Sequence, residues 1–181
     1  NLGSSVSSCY TTGSMSGGSF VGGLVGLNSG TVSSCYATGN VPTTNTNIGG
    51  LVGGNSGSVT SCFWDTESSG EESGIGGGTL AGVTGLTSAQ MVVQSSFAGF
   101  DFTTTPDWRI FDGATRPFLP WQTVSVVLSQ IAYAGGDGSS GTPYQIATLG
   151  QLLRLSETPS DWASGLYFEL TADIDATTTS T

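Results

Sequence analysis

Lysine and histidine are absent from this 181-residue chain, and its three cations are Arg109, Arg116 and Arg154. Set against thirteen acidic residues, they leave a formal net charge of -10. Binding nucleic-acid phosphates needs clustered cations, so that class of partner is excluded. The same absences remove an imidazole base and an amine nucleophile, and with them much of catalysis. No asparagine sits in an Asn-x-Ser/Thr sequon. Glycosylation would therefore fall on Ser or Thr, for instance Thr43, Thr44 or Thr177 to Thr179. No signal peptide, membrane span or initiating Met is found, and the chain reads as a mature protein or a fragment of a longer one.

What is present repeats. Val6-Ser-Ser-Cys-Tyr10 returns as Val32 to Tyr36 and again as Val59-Thr-Ser-Cys-Phe63, spaced by 26 and then 27 residues. Gly22-Gly-Leu-Val-Gly26 returns as Gly49 to Gly53, and Asn28-Ser-Gly30 as Asn55 to Gly57. A fixed period of this length signals stacked units that cannot bury their apolar faces alone. Alternation within each unit is strand-like: Val6, Ser8 and Tyr10 point one way, Ser7 and Cys9 the other. The glycines suit corners and positive φ, and the Asn-Ser-Gly triplets suit turns with left-handed residues. The expected fold is all-β: a parallel β-helix or β-solenoid with coils of about 26 residues over 1–85. An irregular aromatic closing segment follows at 86–122, then a strand-helix-strand segment at 123–181.

Cys9, Cys35 and Cys62 occupy one repeat position and should form an inner column of buried free thiols, at about 4.8 Å per coil. A disulfide pair with one thiol left over is the alternative. In the later segments, Thr66 to Gly78 reads as a surface loop. Thr87 or Ser88 is expected to cap a short helix. Val124 to Leu128 and Ile131 to Tyr133 are β-prone, and 135–141 is a flexible turn. Ala147 to Ser156 is an amphipathic helix with Leu149, Leu152, Leu153 and Leu155 on one face. Leu166 to Ile174 alternates like a strand.

The repeat Gly-Gly-Leu-Val-Gly, Asn-Ser-Gly, Val-Ser-Ser-Cys-Tyr-Ala-Thr-Gly resembles the GLUG repeat of large bacterial surface proteins and adhesins, some of them similar to immunoglobulin A peptidases. Cys62 to Gly70, Gly85 to Met91 and Trp108 to Trp121 resemble the tail that closes such modules. Gly141 to Ala147, Leu149 to Leu155 and Leu170 to Asp175 resemble the opening of the next module. The resemblance implies architecture and adhesion, with no catalytic residue to transfer, no cofactor, and an extracellular or cell-surface location. No zinc-protease motif accompanies it.

The sequence reading is therefore a non-enzymatic structural protein without membrane insertion, whose partner is itself, in a head-to-tail polymer or tandem array. The chain starts inside a coil and finishes on a strand, and uncapped β edges invite pairing. Leu2 and Val6 at one end, with Tyr167, Phe168, Leu170 and Ile174 at the other, are the expected assembly interface. The alternative is an adhesin that contacts surface glycans through Thr43 to Asn47 and Thr66 to Gly74. Asp65, Glu67, Glu71 and Glu72, or Asp173 with Asp175, are candidate calcium ligands without a known calcium-loop spacing. A carbohydrate-active enzyme rests on fold analogy alone. Trp108, Phe118 and Trp121 are read as covering the end of the stack, with a sugar platform as the other use.

Overall fold

A computed structural model describes residues 3–42, 46–103, 106–162 and 165–175, and divides the chain into two compact units. One is Asn1–Met91 with Ser95–Asp107; the other is Val92–Gln94 with Trp108–Thr181. Among the described residues, no helix is long and apolar enough to cross a membrane.

In the first unit, each repeat contributes short strands. The first repeat forms β1 (Ser5–Ser7), β2 (Tyr10–Thr11), β3 (Ser19–Gly22) and β4 (Val25–Asn28); the second forms β5 (Thr31–Ser33), β6 (Tyr36–Ala37), β7 (Thr46–Gly49) and β8 (Val52–Asn55). β9 (Ser58–Thr60), β10 (Cys62–Asp65), β11 (Ile75–Gly78) and β12 (Val83–Leu86) complete the set. Like pairs with like, always parallel: β1-β5-β9, β2-β6-β10-β12, β3-β7 and β4-β8-β11. Register follows the repeat, Val6 opposite Val32 opposite Val59 and Val25 opposite Val52 opposite Ile75.

The inward positions differ from strict alternation. Val32, Cys35 and Ala37 are all fully buried in the core, with Leu51 and Val52. The cause is the second serine of the motif: Ser8, Ser34 and Ser61 take φ of 49°, 51° and 48°. A left-handed residue there turns the chain between β5 and β6, so valine and cysteine, three apart, both face inward. Tyr36 faces the other way, stacked on Tyr10 at 5.1 Å and edge-on to Phe97. Phe97 and Phe100 also pack on Phe63. The aromatic segment thus covers the outer aromatic column of this unit.

The glycines also act differently from expectation. Gly22, Gly49 and Gly53 have ordinary negative φ, but a Cβ at Gly49 would lie 2.3 Å from the Val52 carbonyl oxygen and 2.6 Å from the Gly76 nitrogen. They permit close approach of backbone to backbone. Residues 66–78 are ordered as well as looped. Thr66–Ser69 form a helical turn, α1, capped by Asp65 and closed by Gly70 at φ 74°. The glycine-rich Ile75–Gly78 then lies flat enough to pair with β8. Thr87 does cap a turn, a 3-10 turn at Gln90–Val92, by accepting from the Gln90 amide.

The second unit corrects two strand readings: 124–128 is helical, and Ile131 to Tyr133 forms no strand, since the Ile131 and Ala132 carbonyls accept from Arg154 and Gln151 side chains rather than from a neighbouring strand. Val124–Ser129 is a helix, α2, which packs against α3 (Leu149–Glu157). Burial of Leu128 and contact with α3 outweigh the β preference of Val124 and Val127, since propensity yields to tertiary context. α3 has the expected helix and a Thr148/Gln151 capping box. Its most buried side is Gly150 and Gln151, while the leucines are half-buried. Gly150 sits close to its neighbours: a Cβ would stand 3.1 Å from Ile131 Cδ1 and 3.2 Å from the Ala114 carbonyl oxygen. β13 (Tyr144–Ile146) pairs in parallel with β14 (Phe168–Leu170), which is shorter than the strand expected over 166–174. The turn at 135–141 is tied down by Asp137, which accepts from the Thr142 hydroxyl and the Ser139 amide and is held at about 2 by the former first.

Arg154 organises this unit. Its Nε donates to Asp161 Oδ2 at 2.7 Å, its Nη1 to the Ile131 carbonyl, and its guanidinium lies 4.3 Å over the Tyr133 ring. The Tyr133 hydroxyl donates to the same Asp161 oxygen. The arginine hydrogen bond holds the Asp161 carboxyl below the usual range. A depressed pKa stabilises above the unfolded value, about pH 4, and the contribution is lost as pH falls through the folded one. We expect amide protection in α3 to weaken below about pH 4 and Arg154→Ala to remove that acid sensitivity, at a cost of about 1.5–3 kcal/mol for charged hydrogen bonds. Hydrogen exchange between pH 3 and 7 checks both; an unchanged acid profile in the variant would contradict this.

Candidate functional site

No charged residue precedes Asp65, so the first repeat contributes backbone edges and neutral side chains, Phe20 and Leu27 exposed among them; the carboxylate beside it is Asp107, which accepts from the Ser8 hydroxyl at 3.1 Å. β1, β2, β3 and β4 are each the outermost strand of their sheet. Val6, Cys9, Leu24 and Val25 lie there half-buried against the core, whereas Val32, Cys35, Leu51 and Val52, the same positions one repeat on, are 0 % exposed.

Of the expected thiol column, Cys35 and Cys62 are buried and Cys9 is half-buried against the same core. Cys9, Cys35 and Cys62 are all free. Each donates to the carbonyl two residues back, at 3.0, 3.0 and 3.2 Å. Cys35 and Cys62 also reach the carbonyl of the preceding repeat's valine, at 3.8 and 3.7 Å. The hydrogen bond with Cys62 and burial push the Cys35 thiol up, and burial pushes up Cys9. Protonated buried thiols are poor nucleophiles. Titration should count three thiols after denaturation without reductant, with Cys9 reacting first in the folded chain; a count of one would contradict the column.

A second column escaped the sequence reading. Asn28 and Asn55 are 2 % and 4 % exposed and end strands in ordinary backbone conformation, not in left-handed turns. Asn28 Nδ2 donates to Asn55 Oδ1 at 2.8 Å and to the Ser58 carbonyl; Asn55 Nδ2 donates to the Thr79 carbonyl. Each Oδ1 also accepts from the glycine amide two residues on, Gly30 or Gly57. The signal was available: an asparagine recurring at one repeat position is an Asn ladder in a parallel stack.

The acidic groups divide. Asp65 is fully buried and accepts from the Glu67 and Ser68 amides and the Ser88 hydroxyl, so its carboxylate is committed to capping α1. Glu67 accepts from the Ser88 amide. Asp173 and Asp175 are exposed. Among the described residues, no three of Cys, Asp and Glu are grouped to hold a metal. Glu71 and Glu72 instead border an open cavity of about 470 Å³ with Asn47, Ile48, Ser73, Gly70 and Gly76. It brings the described end of the 43–47 loop beside the 66–74 segment. Burial, then Glu72, pushes the Glu71 carboxyl up.

Of the other candidates, Trp108 and Phe118 are 0 % and 3 % exposed and Trp121 is 78 % exposed, so the three do not present one exposed platform. Phe118 stacks on Phe111. In the second unit Tyr167 and Leu170 are 51 % and 67 % exposed, Ile174 is half-buried, and Phe168 packs on Tyr133 and Tyr144. Leu2, Thr43, Thr44 and Thr177–Thr179 lie outside the described residues.

Residues 17–41 match the family described as the GLUG motif. That span runs from the approach to β3 through β6. No curated protein and no solved structure matches the chain.

Proposed function

We propose that this GLUG-motif chain is a non-enzymatic structural protein, one period of an extracellular rod of stacked parallel β-solenoid coils. The observation that carries the reading is the in-register parallel pairing of successive repeats, ending at outermost strands that bear no charge. Edge strands that natural proteins keep apart carry Lys, Pro or inward charges. Extension beyond β1–β4 continues both the hydrogen-bond ladders and the Val, Cys, Leu and Val columns. The rod grows by end-to-end stacking, through neighbouring copies or further repeats of one long chain.

Lack of enzymatic activity is part of the same proposal, supported by the missing Lys and His and by the commitment of Asp65 to a helix cap. Electron microscopy of the native material should show unbranched rods whose diffraction carries a meridional spacing of about 4.8 Å. A monodisperse particle at high concentration, or turnover of a glycan or peptide abolished by one Asp or Glu substitution, would overturn the reading.

The cavity bordered by Asn47 and Glu71–Ser73 favours a second reading, an adhesin that holds a hydroxylated ligand such as a glycan on the side of the rod. Saturable binding on a glycan array, lost in Glu71→Ala with Ser73→Ala, would favour it.

A further inference from the structure

We infer that the flank of the second and third repeats holds a groove for a short amine-bearing saccharide. This rests on the adhesin reading and adds the ligand's class and its charge.

The groove consists of two cavities that share Asn47. One, of about 470 Å³, is bordered by Asn47, Glu71, Glu72 and Ser73. The other, of about 220 Å³, has Gly54, Gly77 and Gly78 along it, with Phe20, Leu27 and Ser56 around them. Phe20 and Leu27 come from the first repeat but lean on the second. A Cβ at Gly54 would stand 2.8 Å from Phe20 Cδ1 and 2.9 Å from Leu27 Cδ2. A Cβ at Gly77 would stand 2.4 Å from Asn47 Oδ1, so glycine there leaves the carboxamide its place.

Phe20 and Asn47 hold the same repeat position, and both are left-handed, at φ 53° and 57°. Asparagine adopts that conformation readily, whereas phenylalanine is strained in it. The strained residue is the one that lines the apolar cavity. Apolar side chains beside a cluster of hydrogen-bonding groups match a pyranose ring, which has a C–H face and a rim of hydroxyls.

The hydrogen-bonding groups of the groove are mostly acceptors. The Ser73 and Ser56 hydroxyls donate to the Ile75 and Asn28 carbonyls, which leaves their oxygens to accept. Glu71 Oε1 has no partner among the described residues, and Glu72 is exposed. The Asn47 carboxamide supplies donors. Such a lining favours a ligand rich in donors, hydroxyls and an ammonium, over a peptide, whose main chain brings as many acceptors as donors. Charge agrees. The first unit carries carboxylates and no Lys, Arg or His, so an anionic sugar finds no counter-charge there. An ammonium beside Glu71 and Glu72 also offsets the burial and the repulsion that push the Glu71 carboxyl up.

The test titrates the full chain with a glucosamine disaccharide, its N-acetylated counterpart and a glucuronate-bearing disaccharide, at about pH 6, where the amine is charged. The free-amine sugar should bind about tenfold or more tightly than the N-acetylated one, and the glucuronate should not bind. Amide shifts should move at Asn47, Ile48 and Gly77. Phe20→Asn should weaken binding about tenfold while the unfolding midpoint holds or rises, because asparagine relieves the strained φ. Glu71→Gln should bring the free-amine sugar down to the affinity of the N-acetylated one. Trp121→Ala, in the second unit, should leave binding unchanged. Equal binding of the two glucosamine sugars in this groove would overturn the amine-bearing ligand and leave the adhesin reading standing. Binding lost in Trp121→Ala and kept in Phe20→Asn would overturn the location. A lysine-containing peptide bound here in place of any sugar would overturn the ligand class. No saccharide bound, in solution or on an array, would defeat both this inference and the adhesin reading.

Discussion

Gly50→Ala should unfold the far half of the first unit, with a loss of about 3 kcal/mol or more, at or above the upper end of overpacking costs. A methyl group there arrives 2.1 Å from the Trp64 indole and has nowhere to displace it. The ring is pinned by its hydrogen bond to Glu71 and flanked by Gly74 and Gly85. The prediction can be separated from a general intolerance of Gly50 by a double-mutant cycle. Trp64→Ala alone should cost about 3–5 kcal/mol, as large aromatic truncations do. In that background Gly50→Ala should become nearly neutral, because the collision partner is gone. An equal cost of Gly50→Ala in both backgrounds, measured by denaturant unfolding, would show that the tight approach to Trp64 is not what makes glycine necessary.

Asn55→Ala is the second large effect. Removing its carboxamide leaves the Gly57 amide, one Asn28 amide proton and the Thr79 carbonyl without their partner. Asn28 is buried and Gly57 half-buried, whereas Thr79 is exposed and its carbonyl can turn to water; at about 1–3 kcal/mol per buried group left unsatisfied, a loss of about 2–4 kcal/mol is expected. Asn28→Ala should cost a similar amount, because it strands the Gly30 amide, the Ser58 carbonyl and Asn55 Oδ1 in the same way. An unchanged unfolding midpoint in either variant would contradict the ladder.

The repeat itself was plain in the sequence, because identical residues at 26 and 27 spacing have no simpler use than stacking. Parallel pairing and the thiol column followed from that period. What the sequence concealed were conformations that depend on neighbours one repeat away. Ser34 carries no hint that it will adopt φ 51°, yet that torsion decides that Val32 and Cys35 share a face. Asn28 is the exception: it has the residue type of a turn, but its recurrence at Asn55 already marks a ladder in the sequence. Gly49 looks like a flexible corner until the Gly76 backbone occupies the place of its side chain. Val124 to Leu128 reads as strand by local preference and becomes helix because α3 offers a packing partner. The Trp64 niche is the least legible, since the indole and the three glycines against it, Gly50, Gly74 and Gly85, lie apart in the sequence and meet only in the fold.

The central claim is that successive repeats lie parallel and in register, one on another. Nuclear Overhauser contacts in a uniformly labelled sample test it directly. The account predicts side-chain contacts between Val6 and Val32, Val32 and Val59, Tyr10 and Tyr36, and Val52 and Ile75. A pattern of short-range antiparallel contacts, with Val32 facing strands of its own repeat and none between the valines of successive repeats, would contradict it.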